Sequence, residues 1–298
     1  MPAPGIVSKE ATLAGATIEL PVKTARKDGS GAANSPRHGL TLVELLVVIA
    51  IISLLATMLL PALTNTKANA RQVACLGNLR QLEVAFQMYA ADNGGYLVQN
   101  VPIAEGAGVN SITLGTNSWV YGNMKNPSDA TNAMLLKIGK LYSYAPQSVT
   151  FHCPADSTVG QGQARVRSYS MNSWIGSAEM EAEEEQTPFR IFLKDRDLAA
   201  GMPSAIWVHV DEHVETLDDG WFPVTMDNSM PFAKLLATRH QNAYNLDFAD
   251  GHAETYRLRS AVTHIPETQS EAFLQPSLPE FSPDNTDWIK LKGVTTSP

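Results

Sequence analysis

The sequence predicts an α+β protein in which one long N-terminal helix, apolar in its first half and amphipathic in its second, packs on an antiparallel β-sheet. Three observations carry this. Leu40 to Leu60 is a run of 21 residues, apolar except for Thr41, Glu44, Ser53 and Thr57, long enough for a helix to cross a hydrocarbon core of roughly 30 Å. Beyond Pro61, the residues Val73, Leu76, Leu79, Leu82, Phe86 and Tyr89 recur at spacings of three and four, which marks a helix that buries one stripe. Between Ala243 and Leu258, Asp250-Gly251 divides two β-like runs, a strong local hairpin signal.

Residues 1–36 are rich in Ala, Gly, Ser, Thr and Pro without a sustained period, so residues 1–39 read as a disordered leader that stands outside the fold. Lys23, Arg26, Lys27 and Arg37 precede the apolar run. By the positive-inside tendency they hold the N-terminus in the cytoplasm and send the body across the membrane. Lys67, Arg71 and Arg80 follow the run, but on a continuing helix rather than in a short loop. The formal net charge is -8, and residues 1–39 carry five Lys or Arg against three acidic residues, so the body is more acidic still. That balance argues against a nucleic-acid binder, which needs a basic face.

Glu44 is the anomaly in the span. A carboxylate in an otherwise apolar helix is expensive and marks a functional site with a partner. Its flank, Arg37-His38-Gly39-Leu40-Thr41-Leu42-Val43-Glu44, resembles the processing site of type IV prepilins and type II secretion pseudopilins, the class III signal-peptide family. The resemblance implies a pilin-like fold. It also implies cleavage by a prepilin peptidase between Gly39 and Leu40, N-methylation of Leu40, and Glu44 as the fifth mature residue, offsetting the N-terminus of a neighbouring subunit. Pro61 falls at the twenty-second mature position, where that family commonly carries a proline.

Along the rest of the chain, residues 61–95 continue the helix, with Lys67, Arg71, Arg80 and Glu83 left for solvent, and Asp92-Asn93-Gly94-Gly95 ends it. Residues 96–276 form the α+β body. Pro127-Ser128-Asp129-Ala130-Thr131 reads as a helix start, Gln147 to His152 as a strand, and Ala205 to Asp211 as a central strand. Glu179, Glu181, Glu183, Glu184 and Glu185 read as a solvated acidic loop. Residues 277–298, rich in Pro, Ser and Thr, read as a loose tail.

A second resemblance lies at the hairpin. His240, nine residues, then Asp250-Gly251 is similar to the His-x9-Asp-Gly pattern of prepilin-type proteins of the processing-associated domain family. The segments Cys75-Leu76-Gly77-Asn78-Leu79-Arg80-Gln81 and Cys153-Pro154-Ala155-Asp156 resemble that family's other recurring blocks.

Cys75 and Cys153 are the only cysteines. In an exported body they are disulfide candidates, closing a loop of about 77 residues worth about 4 kcal/mol. Two unpaired thiols are the alternative, and a metal pair has less support because no third cysteine accompanies it. A two-residue turn at Asp250-Gly251 would set Asp247 opposite Glu254, two carboxylates that need a cation or a basic side chain between them. Calcium near Asp247, Asp250 and Glu254 is the candidate, since the resembled major pseudopilins use calcium and hard oxygen donors suit it. His209, Asp211 and His213 alternate along one strand, as a transition-metal site could require.

No Gly-x-Ser-x-Gly elbow, phosphate loop or His-Glu-x-x-His is present, so the chain reads as structural rather than enzymatic. It is expected to be an inner-membrane, single-pass subunit that partners a prepilin peptidase, other pilin or pseudopilin subunits and an assembly platform in the inner membrane, and to require no cofactor beyond calcium at most. The competing readings are an anchored cation- or glycan-binding module that never polymerises, and an anchored hydrolase using His209, Asp211 or His240.

Overall fold

The computed structural model describes residues 41–102, 117–160, 163–177, 188–226, 233–260, 263, 265 and 284–297. Gly39, Leu40 and the acidic stretch Glu179 to Glu185 lie outside them. The chain divides into two compact units, Met1–Leu54 and Leu55–Pro298.

One helix, α1 (Leu42–Asp92, 51 residues), runs through Pro61 without a break. In the first unit its apolar side chains, Leu42 to Leu54, are all exposed. Ser53 turns its hydroxyl back onto the Ile49 carbonyl at 2.7 Å, which satisfies a polar group inside an apolar segment.

In the second unit α1 buries Cys75, Leu79, Leu82, Phe86 and Tyr89, spaced four, three, four and three. Val73 was expected on this stripe but is 68% exposed, because two residues of helical rotation separate it from Cys75. Glu83 was expected in solvent and is fully buried. The helix ends where Gly94 and Gly95 take positive φ, 65° and 82°, and Gly95 N donates to the Ala90 carbonyl at 2.8 Å, closing the last turn as glycine readily allows.

Asn126 caps α2 (Pro127–Ala130) and Asn132 caps α3 (Ala133–Lys137), in line with the helix start read at Pro127. The strand expected over Gln147 to His152 is instead a 3-10 turn, Ser148–Phe151. The cause is docking on α1: Asn78 Nδ2 donates to the carbonyls of Val149 and His152 at 3.0 and 2.9 Å, so the segment's backbone is occupied away from any ladder.

A two-stranded ribbon joins β1 (Val159–Gly160) to β2 (Gln163–Ala164). The main sheet holds β3 (Tyr169–Asn172), β4 (Trp207–Asp211), β5 (Trp221–Phe222), β6 (Ala243–Phe248) and β7 (Ala253–Arg257) in the order β5-β3-β4-β6-β7. The strand read at Ala205 to Asp211 is the central one. Four strands are antiparallel, as expected, but the edge strand β5 runs parallel to β3, so the sheet is mixed. Between β3 and β4 lies α4 (Asp195–Ala200).

The two faces of the sheet have different covers. Tyr169, Met171, Val208 and Ala253 pack with Leu79, Leu82 and Phe86 of α1. Trp207, Val210, Phe222, Tyr244, Leu246 and Phe248 pack with Trp288 and Leu291 of a terminal helix, α5 (Thr286–Lys292), capped by Asn285. The loose tail expected for residues 277–298 is therefore corrected over residues 284–297. Its Pro and Ser content concealed a short helix with two large apolar side chains on one face. A β-bulge interrupts β4 between Trp207 and Val210, adding one residue there, so that both Val208 and His209 reach the α1 side. Bulges re-aim side chains in this way.

Candidate functional site

At the start of α1, Thr41 and Glu44 form a reciprocal pair. The Thr41 N–H and hydroxyl both donate to Glu44 Oε2 at 2.8 Å, and the Glu44 N–H donates to Thr41 Oγ1 at 3.3 Å. This is a capping box, Thr-x-x-Glu, which satisfies two otherwise open donors of the first turn. The carboxylate that the sequence assigned to subunit contacts thus has a local partner within its own chain. The helix behind it is the one candidate membrane span among the described residues.

The hairpin departs from the expected register. The Gly251 N–H donates to the Phe248 carbonyl at 2.8 Å and the Phe248 N–H to the His252 carbonyl at 2.9 Å, with Gly251 at φ 95°. The connection is thus a three-residue loop, a type I turn closed by a left-handed glycine. Asp247 pairs with Ala253, and Glu254 with Leu246. The extra residue sends Asp247 and Glu254 to opposite faces, so the calcium site expected from Asp247, Asp250 and Glu254 is not assembled. Asp247 is fully buried, Asp250 accepts from His252 Nδ1 in the turn, and Glu254 is exposed.

Nor do His209, Asp211 and His213 form one site, although all three are buried. They divide among three surroundings. His209 Nδ1 lies 2.9 Å from Asp247 Oδ2 and, with Glu83 of α1, the two residues make a buried cluster whose donor atoms all lie within 4.8 Å of one another. Glu83 Oε2 and His209 Nε2 meet no hydrogen-bond partner among the described residues. Burial, and then the Asp247 carboxylate, hold the Glu83 carboxyl well above the usual range. His213 instead contacts the Ile265 carbonyl at 3.2 Å, and burial lowers it to about 4.

Asp211 joins Cys75, Cys153 and His240 in a second buried cluster with donor atoms again within 4.8 Å of one another. His240 Nε2 is 3.2 Å from Cys153 Sγ and 3.2 Å from Asp211 Oδ2, and Cys75 Sγ is 3.9 Å from Asp211 Oδ2. Around them, Tyr169 Oη is 3.2 Å from Cys75 Sγ, and Arg239 donates to Asp211 Oδ1 and to the Glu212 carbonyl. His240 Nδ1 meets no partner among the described residues. Burial would lower the imidazole, but the Asp211 carboxylate and Cys153 outweigh it and raise it to about 9. The expected Cys75–Cys153 disulfide is corrected: both are free thiols, near each other and also in contact with Tyr169 and His240. The burial of His209, Asp211 and His240 also argues against a hydrolase that would use them on a substrate from solvent.

Two groups escaped the sequence reading. Glu83 looked like the solvent face of a helix, and only its position one residue after Leu82, beside the buried stripe, hints otherwise. A second group, Lys234 with Asp218, Asp219 and Glu212, spans a loop with no motif. There burial raises Glu212 to about 7 against the pull of Lys234.

Residues 34–60 match the family model of the prokaryotic N-terminal methylation motif, a match that ends far before His240, Asp250 and Gly251. The type II secretion system core protein G of Escherichia coli (strain K12) is 37% identical over 68 residues, 23% of this chain and 47% of that protein. The core protein G of Aeromonas hydrophila is 40% identical over 60 residues, 20% of this chain and 42% of that protein. The chain thus spans less than half the length of these relatives. No solved structure matches it. With its capped apolar helix and this match, the chain carries a prepilin-type N-terminal methylation motif and, over less than a quarter of its length, is similar to the core protein G of type II secretion.

Proposed function

We propose that the chain is a pilin-like structural subunit, processed between Gly39 and Leu40 by a prepilin peptidase, held in the inner membrane by the first part of α1, and assembled through helix packing into a type II secretion pseudopilus or a related filament. The observation that carries this reading is the methylation motif at residues 34–60 running directly into one unbroken helix of 51 residues. The basic residues Lys23, Arg26, Lys27 and Arg37 support a cytoplasmic N-terminus and a body on the far side.

The capping box gives this reading a mechanism. In an isolated subunit Glu44 is satisfied by Thr41, so its charge need not be stranded in lipid. Cleavage after Gly39 creates an amine on Leu40, one residue from that cap. When subunits pack, a Glu44 carboxylate meets a neighbour's Leu40 amine, and pairing removes the cost of burying either charge alone.

Intact mass and N-terminal sequencing of the protein from membranes, with and without a co-expressed prepilin peptidase, test the reading. A mature chain beginning at N-methylated Leu40 is expected. A retained leader, or a cut elsewhere, would make α1 an ordinary anchor for a module that does not polymerise.

A further inference from the structure

We propose that Cys75, Cys153, Asp211 and His240 form a binding site for one divalent transition metal ion, zinc by preference, that fastens α1 to the sheet. The inference is independent of filament assembly.

The donor set suits the ion. Zinc is borderline-soft and takes thiolate, imidazole and carboxylate ligands, four in a closed structural site. A tetrahedron with metal-to-donor distances of about 2.0–2.3 Å has edges of roughly 3.3–3.8 Å. Three of the donor separations here are 3.2, 3.2 and 3.9 Å, and no pair exceeds 4.8 Å. Calcium and magnesium are disfavoured, since they take oxygen donors and this site offers one carboxylate and two sulfurs.

A disulfide accounts for less of the geometry. It would use the two sulfurs and leave unexplained why an imidazole and a carboxylate converge on them in a site where all four residues are buried. Further groups complete the site as an outer shell does. Tyr169 Oη stands 3.2 Å from Cys75 Sγ, placed to donate to a thiolate, and Arg239 takes the Asp211 oxygen turned away from the cluster. Asp156 in turn lies 3.7 Å from Arg239 and accepts from Ser168 Oγ at 2.7 Å. Two thiolates and a carboxylate around a doubly charged cation leave one net negative charge, which Arg239 offsets. Coordination of the ion releases three protons to solvent, one from each thiol and one from the His240 imidazolium, and His240 then ligates through Nε2 as the neutral imidazole.

The four ligands come from four separated places: the middle of α1, the segment after the 3-10 turn, the end of β4, and the loop before β6. An ion there ties the buried half of α1 to the centre of the sheet, adding to its apolar packing and to side-chain hydrogen bonds such as Gln72 Nε2 to Thr255 Oγ1 at 2.8 Å. It also gives a role to His240, the residue that opens the His-x9-Asp-Gly pattern: it supplies a ligand, while Asp250 and Gly251 build the turn that follows.

The test uses the full chain, purified in detergent without chelator. Elemental analysis should find about one zinc per chain, lost in Cys75→Ser and in Cys153→Ser and retained in Lys137→Ala, an exposed position on α3. Because a ligand variant could fail to fold, the wild-type chain is also stripped with chelator and titrated with cobalt(II). A sulfur-to-cobalt charge-transfer absorption that saturates at about one ion per chain and is displaced by zinc is expected. A wild-type chain that carries no zinc and develops no such absorption overturns the proposal. So does an intact mass showing the two cysteines joined as a disulfide.

Discussion

Glu83 stands beside the buried stripe of α1 with its carboxyl enclosed by Gln87 on its own helix and by Asp247 and His209 on the sheet, while Asp250 adds a more distant negative charge. Burial and Asp247 raise its pKa, so the folded chain holds this proton more tightly than the unfolded chain does. The stability it contributes is therefore complete below the unfolded value, about 4.3, and is lost as pH rises through the folded one. Glu83→Gln keeps the shape and the Gln87 contact and removes the titration. The Tm of the variant relative to wild type should climb between about pH 5 and pH 8, at about 2–4 °C for each kcal/mol recovered. A difference that stays flat over that range would mean that Glu83 is already ionised in the fold. Backbone residues make sharper cases. Gly94 and Gly176 share a positive φ, 65° and 64°, yet a Cβ at Gly94 meets open space and one at Gly176 would lie 2.0 Å from the Val98 carbonyl oxygen. Alanine at Gly94 should cost about 1 kcal/mol. At Gly176 the backbone must move, and urea melts of the two variants should differ by several-fold in lost stability.

At the scale of elements, what could be read from the sequence was whatever follows a local period. The Leu79, Leu82, Phe86 and Tyr89 stripe, the glycine stop of α1, the helix start at Pro127 and the central strand around Val208 each repeat or terminate within a few residues, and the structure has them all. The hairpin was legible in kind but not in register, because one residue in the loop decides which face every side chain takes, and Asp-Gly is compatible with both lengths. Of the cluster of Cys75, Cys153, Asp211 and His240, only the cysteine pair was legible. Its members are separated by dozens of residues, and three of them come to one place only through the packing of α1, the 3-10 turn and β4. The terminal helix α5 was missed for a different reason, since a seven-residue helix hardly shows a period. Trp288 and Leu291 nevertheless seal the face of the sheet opposite α1. Trp288→Ala should lower stability by about 3–5 kcal/mol, read from chemical denaturation, whereas exposed Ile289→Ala on the same helix should change little.

For the whole molecule the question is whether the charge of Glu44 or only its hydrogen bonds matter, and one substitution separates them. The carboxylate oxygen Oε2 accepts two bonds from Thr41, and a glutamine carbonyl oxygen can accept the same two. Glu44→Gln therefore retains the cap, whose loss would otherwise cost about 1 kcal/mol at the helix start, while leaving nothing to pair with a cationic Leu40 amine. Glu44→Ala removes both. If assembly rests on pairing across subunits, the Gln variant should insert, be cut after Gly39 and accumulate in membranes at the wild-type level, yet yield few or no sheared filaments, as the Ala variant does. Processing is set by the residues around Gly39 and insertion by the apolar run, so neither should follow the charge. If the Gln variant assembles like wild type and only the Ala variant fails, Glu44 acts as a helix cap and the intersubunit role must pass to another group. Immunoblots of the membrane fraction and of the sheared surface fraction, run side by side for the three chains, distinguish the two outcomes.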